Sequence, residues 1–285
     1  MTADFSMQPR SQQEWSWLVA MDLFLGGLGG GLFLFFLFLK LPAAVGLLSL
    51  GLVTAGGLVL LAELGHPSRA WRAICRPFSS WISRGVIFVL LFLVTGSLTV
   101  GPLLASFSWL PWAPDTLGGK TLGMIAGVSA LLVTLYPGFV LAASPSIPSW
   151  NTPLLPVLFF SNSVMGATGI LLLFSSIGFW SQSIAELHAL AALLLIANFV
   201  LLLVYLLVLG NSGISAQESV RRLREGSLGG VFRWGVVLVG TIVPLLLVVL
   251  LPSAAALAGA CVLAGGVLFR YCVLEAGVYV PFALT

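Results

Sequence analysis

The chain has 285 residues, of which 59% are hydrophobic and 7% are charged, whereas soluble domains carry about 25% charged residues. This composition excludes a soluble globular domain and indicates a polytopic membrane protein. The formal net charge of +3 does not indicate nucleic-acid binding, because the basic residues lie in short segments between apolar runs. The three cysteines are too scattered for a disulfide framework or for a zinc or iron–sulfur motif.

Eight apolar runs are long enough to cross a bilayer as helices, which takes about 20 residues each. The first run is too long for the apolar core of a signal peptide, so we expect an uncleaved span. The sequence predicts an all-α integral membrane protein, a single polytopic domain over 1–285 whose eight transmembrane helices form two packed four-helix bundles. The predicted helices lie at about 17–39, 43–64, 85–107, 121–143, 154–177, 187–210, 232–251 and 254–274.

An even number of spans places both termini on one side of the membrane, which we call the near face. The loops after the second, fourth and sixth helices share it, and the opposite side is the far face. The segment 215–225 in the sixth loop is typical of an amphipathic surface helix, with Val220 and Leu223 inward and its arginines outward. Ten of the 12 Lys and Arg lie at or close to the near face: Arg10, Arg69, Arg72, Arg76, Arg84, Arg221, Arg222, Arg224, Arg233 and Arg270.

Ionisable and hydrogen-bonding side chains inside the helices are the first candidates for function, because they are costly to bury in lipid. At about 1.5 Å per residue, five of them from five helices lie in the near half of the bilayer, and this common depth predicts one shared cavity. The alternative is that the charged ones extend to the interface or pair there. The five residues are Asp22, Glu63, Tyr136, Asn162 and Arg270.

Histidine is the usual axial ligand of a membrane haem, and the two histidines, His66 and His188, are predicted at opposite faces. We therefore expect no haem, no iron–sulfur cluster and no metal in this chain. His66 lies in a segment, 63–85, that carries the densest positive charge of the first half of the chain. A surface or partner-contacting role is the simpler interpretation of this histidine.

Several stretches in order along nearly the whole chain resemble the NrfD/PsrC family, the eight-helix membrane anchors of polysulfide-reductase-like molybdopterin enzymes. These stretches are EWSWLVAMDLFLGGLGGGLFL (14–34), ELGHPSRAWR (63–72), FSSWISRG (78–85), YPGFVLAASPSIPSWNTPLLPVLF (136–159), VRRLREGSLGGVFRWGVVLVGTIVPLLL (220–247) and GGVLFRYCVLEAG (265–277).

The resemblance implies a subunit of an anaerobic respiratory chain, located in the inner (plasma) membrane. Such a subunit exchanges electrons between a menaquinone or ubiquinone pool and a four-cluster ferredoxin-like iron–sulfur subunit. That partner in turn serves a molybdopterin catalytic subunit with molybdenum or tungsten. The resemblance places the quinone site near the face that docks the iron–sulfur subunit.

In members of this family the quinone site uses an acid at the end of helix 2 and a tyrosine in helix 4, which Glu63 and Tyr136 match. A polar residue of helix 1, often His, Tyr or Asn, is most nearly matched by Asp22. We expect these three residues to be catalytic and the quinone-binding set to add His66, Asn162 and Arg270. His66 stands where relatives usually have the arginine of a GRP sequence. The expected partner-docking residues are Arg69, Arg72, Arg76 and Arg84.

The chemistry of quinol agrees with this location, because oxidation releases two protons with two electrons. Tyr136 and Asn162 can hold the ring oxygens, and Glu63 or Asp22 can accept a proton and pass it to the near face. A small-solute transporter is an alternative, although transporters favour broken helices at the midplane. A purely structural anchor is another, and quinone binding by the isolated protein separates it from the quinone-reactive interpretation.

The distribution of basic residues predicts the orientation of the chain. Lys and Arg in short loops are retained in the cytoplasm, so the near face and both termini should be cytoplasmic. A reporter that is active only in the cytoplasm should therefore be active when fused after Thr285. A second reporter, active only after export, should be silent in the same position, and its activity would place the near face outside.

Overall fold

A computed structural model describes residues 10–63, 67–107, 109–175 and 184–280, with the backbone alone for 67–70. In these ranges eight helices are long and apolar enough to cross a membrane, and a ninth lies at the surface. The predicted all-α integral membrane fold is confirmed. The helices are α1 Trp17–Phe38, α2 Ala43–Glu63, α3 Trp81–Val100, α4 Leu117–Ala142, α5 Leu154–Phe174, α6 Ile184–Gly210, α7 Ile214–Arg224, α8 Val231–Leu250 and α9 Ala255–Glu275.

The eight spans form two four-helix groups, as the sequence predicts. Helices α1 to α4 contact one another, and α5, α6, α8 and α9 form the second group. The groups meet where α1 and α4 contact α5, and where α1 contacts α9. Small residues allow these close approaches, since packing drives helix association in lipid. In α1, a side chain at Gly27 or Gly31 would overlap Ser163 of α5. In α9, one at Gly265 would overlap Gly240 of α8.

The third and fourth helices begin four residues earlier than predicted, because each has a hydroxyl cap. The Ser80 hydroxyl accepts a hydrogen bond from the Ser83 amide at 3.4 Å, and Thr116 accepts one from Gly119 at 3.1 Å. The predicted end of the third helix at 107 is also wrong. The α-helix ends at Val100, two residues before Pro102, which has no amide hydrogen to donate.

The termini meet on one side of the bundle, which confirms the predicted near face. The Gln12 amide donates to the Gly277 carbonyl at 3.0 Å, and Val280 donates to Ser146 in the fourth loop at 2.9 Å. The Tyr279 hydroxyl donates to Glu14 Oε2 at 2.7 Å. This hydrogen bond lowers the pKa of Glu14, which lies at the surface before α1.

The near-face loops are tied to the helix ends by buried hydrogen bonds. The Trp150 indole donates to the Val273 carbonyl at 2.9 Å, and the Tyr205 hydroxyl donates to Ser149 at 2.7 Å. Helix α7 lies along this side with its apolar face buried, as predicted. The prediction for Arg222 is wrong, however, because its side chain is half-buried rather than outward.

Candidate functional site

Asp22 is a buried carboxylate on the face of α1 that packs against α2. Its side chain is 6% exposed, and a Cβ atom at Gly56 of α2 would lie 3.2 Å from Asp22 Oδ1. Glycine at position 56 therefore provides the room that this carboxylate occupies. Asp22 is close enough to Glu63 and to Tyr136 for their charges to interact.

Glu63 is the last residue of α2 and has one engaged and one free carboxylate oxygen. The exposed Ser16 hydroxyl donates to Oε1, while Oε2 is buried and has no hydrogen-bond partner among the described residues. Ser16 also caps α1, since its oxygen accepts from the Leu18 amide at 3.0 Å. The sequence analysis missed Ser16, although a serine directly before an apolar run is a recognisable capping signal.

Tyr136 is held at the α3–α4 contact by a glycine on the neighbouring helix. Any side chain at Gly85 of α3 would overlap the Tyr136 ring, so the ring lies flush against the α3 backbone. Two residues further along α4, Gly138 lies against Pro156 of α5. Together Asp22, Glu63 and Tyr136 form what we call the carboxylate–tyrosine group, inside the first bundle at its near end.

Arg270 of α9 is fully buried and donates to neighbours on two other helices. Its Nε donates to the Leu23 carbonyl of α1 at 3.0 Å. Its Nη2 donates to Ser163 Oγ of α5 at 2.8 Å, and Nη1 donates to Asn162 Oδ1. We call Arg270, Asn162 and Ser163 the arginine group, and it joins the two bundles.

The arginine group contains no carboxylate. In the part of the chain whose side chains are described, the one ion pair joins Arg221 to Glu218 on α7. Pairing of Arg270 with Asp22 or Glu63 is therefore not observed. The Arg270 guanidinium instead lies 5.5 Å from the Phe24 ring centre and 5.3 Å from that of Phe159, and aromatic faces attract cations.

The five polar residues do not line one cavity, so that prediction is wrong. Asp22 faces α2, whereas Gly27 and Gly31, further along α1, face α5 and the arginine group. Since each helical residue turns the side-chain direction by about 100°, α1 separates the two groups. Depth in the bilayer follows from counting residues, but the side of the helix that meets each neighbour does not.

A cavity of about 190 Å³ lies elsewhere, toward the far ends of α2 and α5, and it has apolar walls. It contains no side chain that can bind the polar ring of a quinone. The cavity is lined by Ala44, Val45, Leu48, Ile170, Leu171 and Phe174.

The predicted basic docking residues are placed unequally. Arg72 and Arg76 are exposed. Arg84 is half-buried and donates to the carbonyls of Pro77 and Phe78, each at 2.8 Å, so its guanidinium is already engaged within the protein. His66 lies outside the described residues, as does the side chain of Arg69.

Metal-binding clusters were searched in the same described ranges. In them, no group of three or more His, Cys, Asp or Glu side chains is placed to hold a metal ion.

Comparison with known proteins gives a consistent result. The sequence profile of the family described as "Polysulphide reductase, NrfD" matches residues 6–282. The C subunit of polysulfide reductase from Wolinella succinogenes is 29% identical over 310 residues, covering 95% of the present sequence and 96% of the relative. Protein NrfD of Escherichia coli strain K12 is 28% identical over 309 residues, covering 92% and 94%.

The arginine group generates a prediction about stability. Replacing Asn162 with Leu removes a side-chain acceptor from a buried cation, and a hydrogen bond to a charged group contributes about 2 kcal/mol. We expect Asn162→Leu to lower the thermal unfolding temperature of the purified protein. Asn198→Leu is the matched control, because Asn198 Oδ1 is buried without a partner among the described residues. Equal losses in the two variants would contradict the role given to Asn162.

Proposed function

Because this chain belongs to the polysulphide reductase NrfD family, we propose that it is the quinone-binding membrane subunit of a respiratory oxidoreductase complex. One relative is, by name, a lettered component of polysulfide reductase, which supports a role beside other subunits. The substrate in the membrane would be a menaquinol or ubiquinol.

The free oxygen of Glu63 carries this proposal. A buried carboxylate oxygen without a partner is costly, and Glu63 Oε2 is such an atom among the described residues. A quinol hydroxyl would satisfy it. Tyr136, the third side chain of the carboxylate–tyrosine group, is a hydroxyl donor and acceptor, so the group offers a partner to each ring oxygen.

Quinol supplies two electrons and two protons when it is oxidised. Tyr136 would orient the ring by hydrogen bonding to one oxygen, and Glu63 would take a proton from the other as a general base. Asp22 lies close enough to Glu63 to interact with it, so it supplies a second proton acceptor. Asn162 and Arg270 are assigned to packing between the bundles, because they lie on the other side of α1.

Protons would leave toward the near face. Glu63 ends α2 on that side, and its hydrogen-bond partner Ser16 is exposed. Asp22, deeper in α1, is buried, which supports an order in which a proton passes from Asp22 to Glu63 and then to water.

The same face would dock the electron-transfer partners. We assign to it a four-cluster ferredoxin-like iron–sulfur subunit, which serves a molybdopterin catalytic subunit with molybdenum or tungsten. Arg72 and Arg76 are exposed there and suit an acidic partner surface. The charge distribution supports a cytoplasmic near face in the inner membrane.

Two substitutions test the proposed site. Glu63→Gln and Tyr136→Phe should each lower the quinol-linked turnover of the intact complex at least tenfold, or about 1.4 kcal/mol, because each removes one proton-handling group. Turnover with quinol is measured beside reduction of an artificial dye by the catalytic subunit, which should survive.

Tyr205→Phe is the matched control for Tyr136→Phe. Tyr205 is also buried, but its hydroxyl donates to Ser149 in a near-face loop. Its loss should leave quinol turnover nearly unchanged. Wild-type rates in both Glu63→Gln and Tyr136→Phe would refute the assignment.

A further inference from the structure

Arg84 closes the start of α3 onto the loop before it. Its Nε and Nη2 donate to the carbonyls of Pro77 and Phe78, each at 2.8 Å. The same guanidinium lies over the Trp81 ring, with 4.5 Å from its central carbon to the ring centre. A planar, delocalised guanidinium suits both contacts at once.

Trp81 in turn stacks on α4. Its ring and that of Phe139 lie 4.7 Å apart at an interplanar angle of 10°. Because a flat ring has two faces, Arg84 and Phe139 cover one each. We call Arg84, Trp81 and Phe139 the cationic stack.

The cationic stack lies directly beside the contact that holds Tyr136. Gly85, which meets the Tyr136 ring, follows Trp81 by one helical turn, and Phe139 follows Tyr136 by nearly one turn. The two contacts are therefore neighbouring rungs of the same α3–α4 interface. Glycine at position 85 offers no side chain to fix the ring, so the adjacent rung sets the spacing of the two helices.

We propose that the cationic stack positions Tyr136 for hydrogen bonding to the quinone ring, an inference that rests on the proposed function. Arg84, Trp81 and Phe139 act through Tyr136 and do not touch the substrate. A small displacement of a catalytic group can reduce turnover by up to about 100-fold. The role of Arg84 is then internal, in contrast to the docking role that its charge suggests.

Arg84→Gln separates these two roles. If the cationic stack positions Tyr136, Arg84→Gln should lower quinol turnover at saturating substrate by about threefold to tenfold, with the amount of assembled complex unchanged. Arg84→Lys should behave like Arg84→Gln, because lysine keeps the charge but lacks the fork that reaches two carbonyls. A docking role predicts the reverse: normal turnover in Arg84→Lys and loss of partner subunits in Arg84→Gln.

Arg72→Gln is the matched control. It removes the same charge from the same loop region, where Arg72 lies exposed, 5.7 Å from the Trp71 ring centre. Its quinol turnover at saturating substrate should stay at the wild-type rate. Equal turnover losses in the Arg72 and Arg84 variants would show a general charge effect and overturn the proposal.

A double-mutant cycle supplies the readout that a merely structural role would not move. In the Tyr136→Phe background, Arg84→Gln should cause little further loss, because the hydroxyl that it positions is already absent. Losses that multiply would show that Arg84 acts independently of Tyr136 and would overturn the proposal.

Trp81 provides a second route if Arg84→Gln fails to assemble. Trp81→Phe keeps a ring in the stack and should retain most of the quinol turnover, whereas Trp81→Leu should match Arg84→Gln. Equal turnover in the two Trp81 variants would overturn the proposal.

Failure of the inference differs from failure of the proposed function. Slow turnover in Tyr136→Phe with wild-type turnover in Arg84→Gln rejects the cationic stack alone. Wild-type turnover in both Tyr136→Phe and Glu63→Gln rejects the quinone site itself.

Discussion

The rest of the structure depends on a fully buried arginine in the bundle. A cation in lipid must find all its partners inside the protein, and Arg270 finds them on α1 and α5. These hydrogen bonds fix α1 against the second bundle through one of its faces. The opposite face of α1 is thereby directed at α2, which places Asp22 against Gly56. The position of the carboxylate–tyrosine group is thus linked to the contact between bundles.

Glycines decide where polar side chains fit in this apolar protein. Gly56 leaves room for Asp22, and Gly85 leaves room for the ring of Tyr136. In both places a residue without a side chain faces a functional one on the next helix. The quinone site proposed here is therefore a product of close helix packing. Its carboxylates remain within one bundle, near the face where protons and electrons would leave.

Much of this arrangement could be predicted from the sequence, because span length and polar-residue depth follow from counting along the chain. The eight spans, the shared side of the termini and the terminal position of Glu63 were all correct. The rotation of each helix was not predictable, so Asn162 and Arg270 were wrongly placed in one cavity with Asp22. Nor was the engagement of Arg84, since its acceptors are backbone carbonyls, which carry no sequence signal.

The most direct test of the central claim is to map where quinone binds. The purified protein, reconstituted in lipid nanodiscs, would be photolabelled with an azido-quinone and its labelled peptides identified by mass spectrometry, with excess unmodified quinone as competitor. The carboxylate–tyrosine group predicts competed labels on α1, α2 and α4. Competed labels confined to α5 and α9, around the arginine group, would contradict the account.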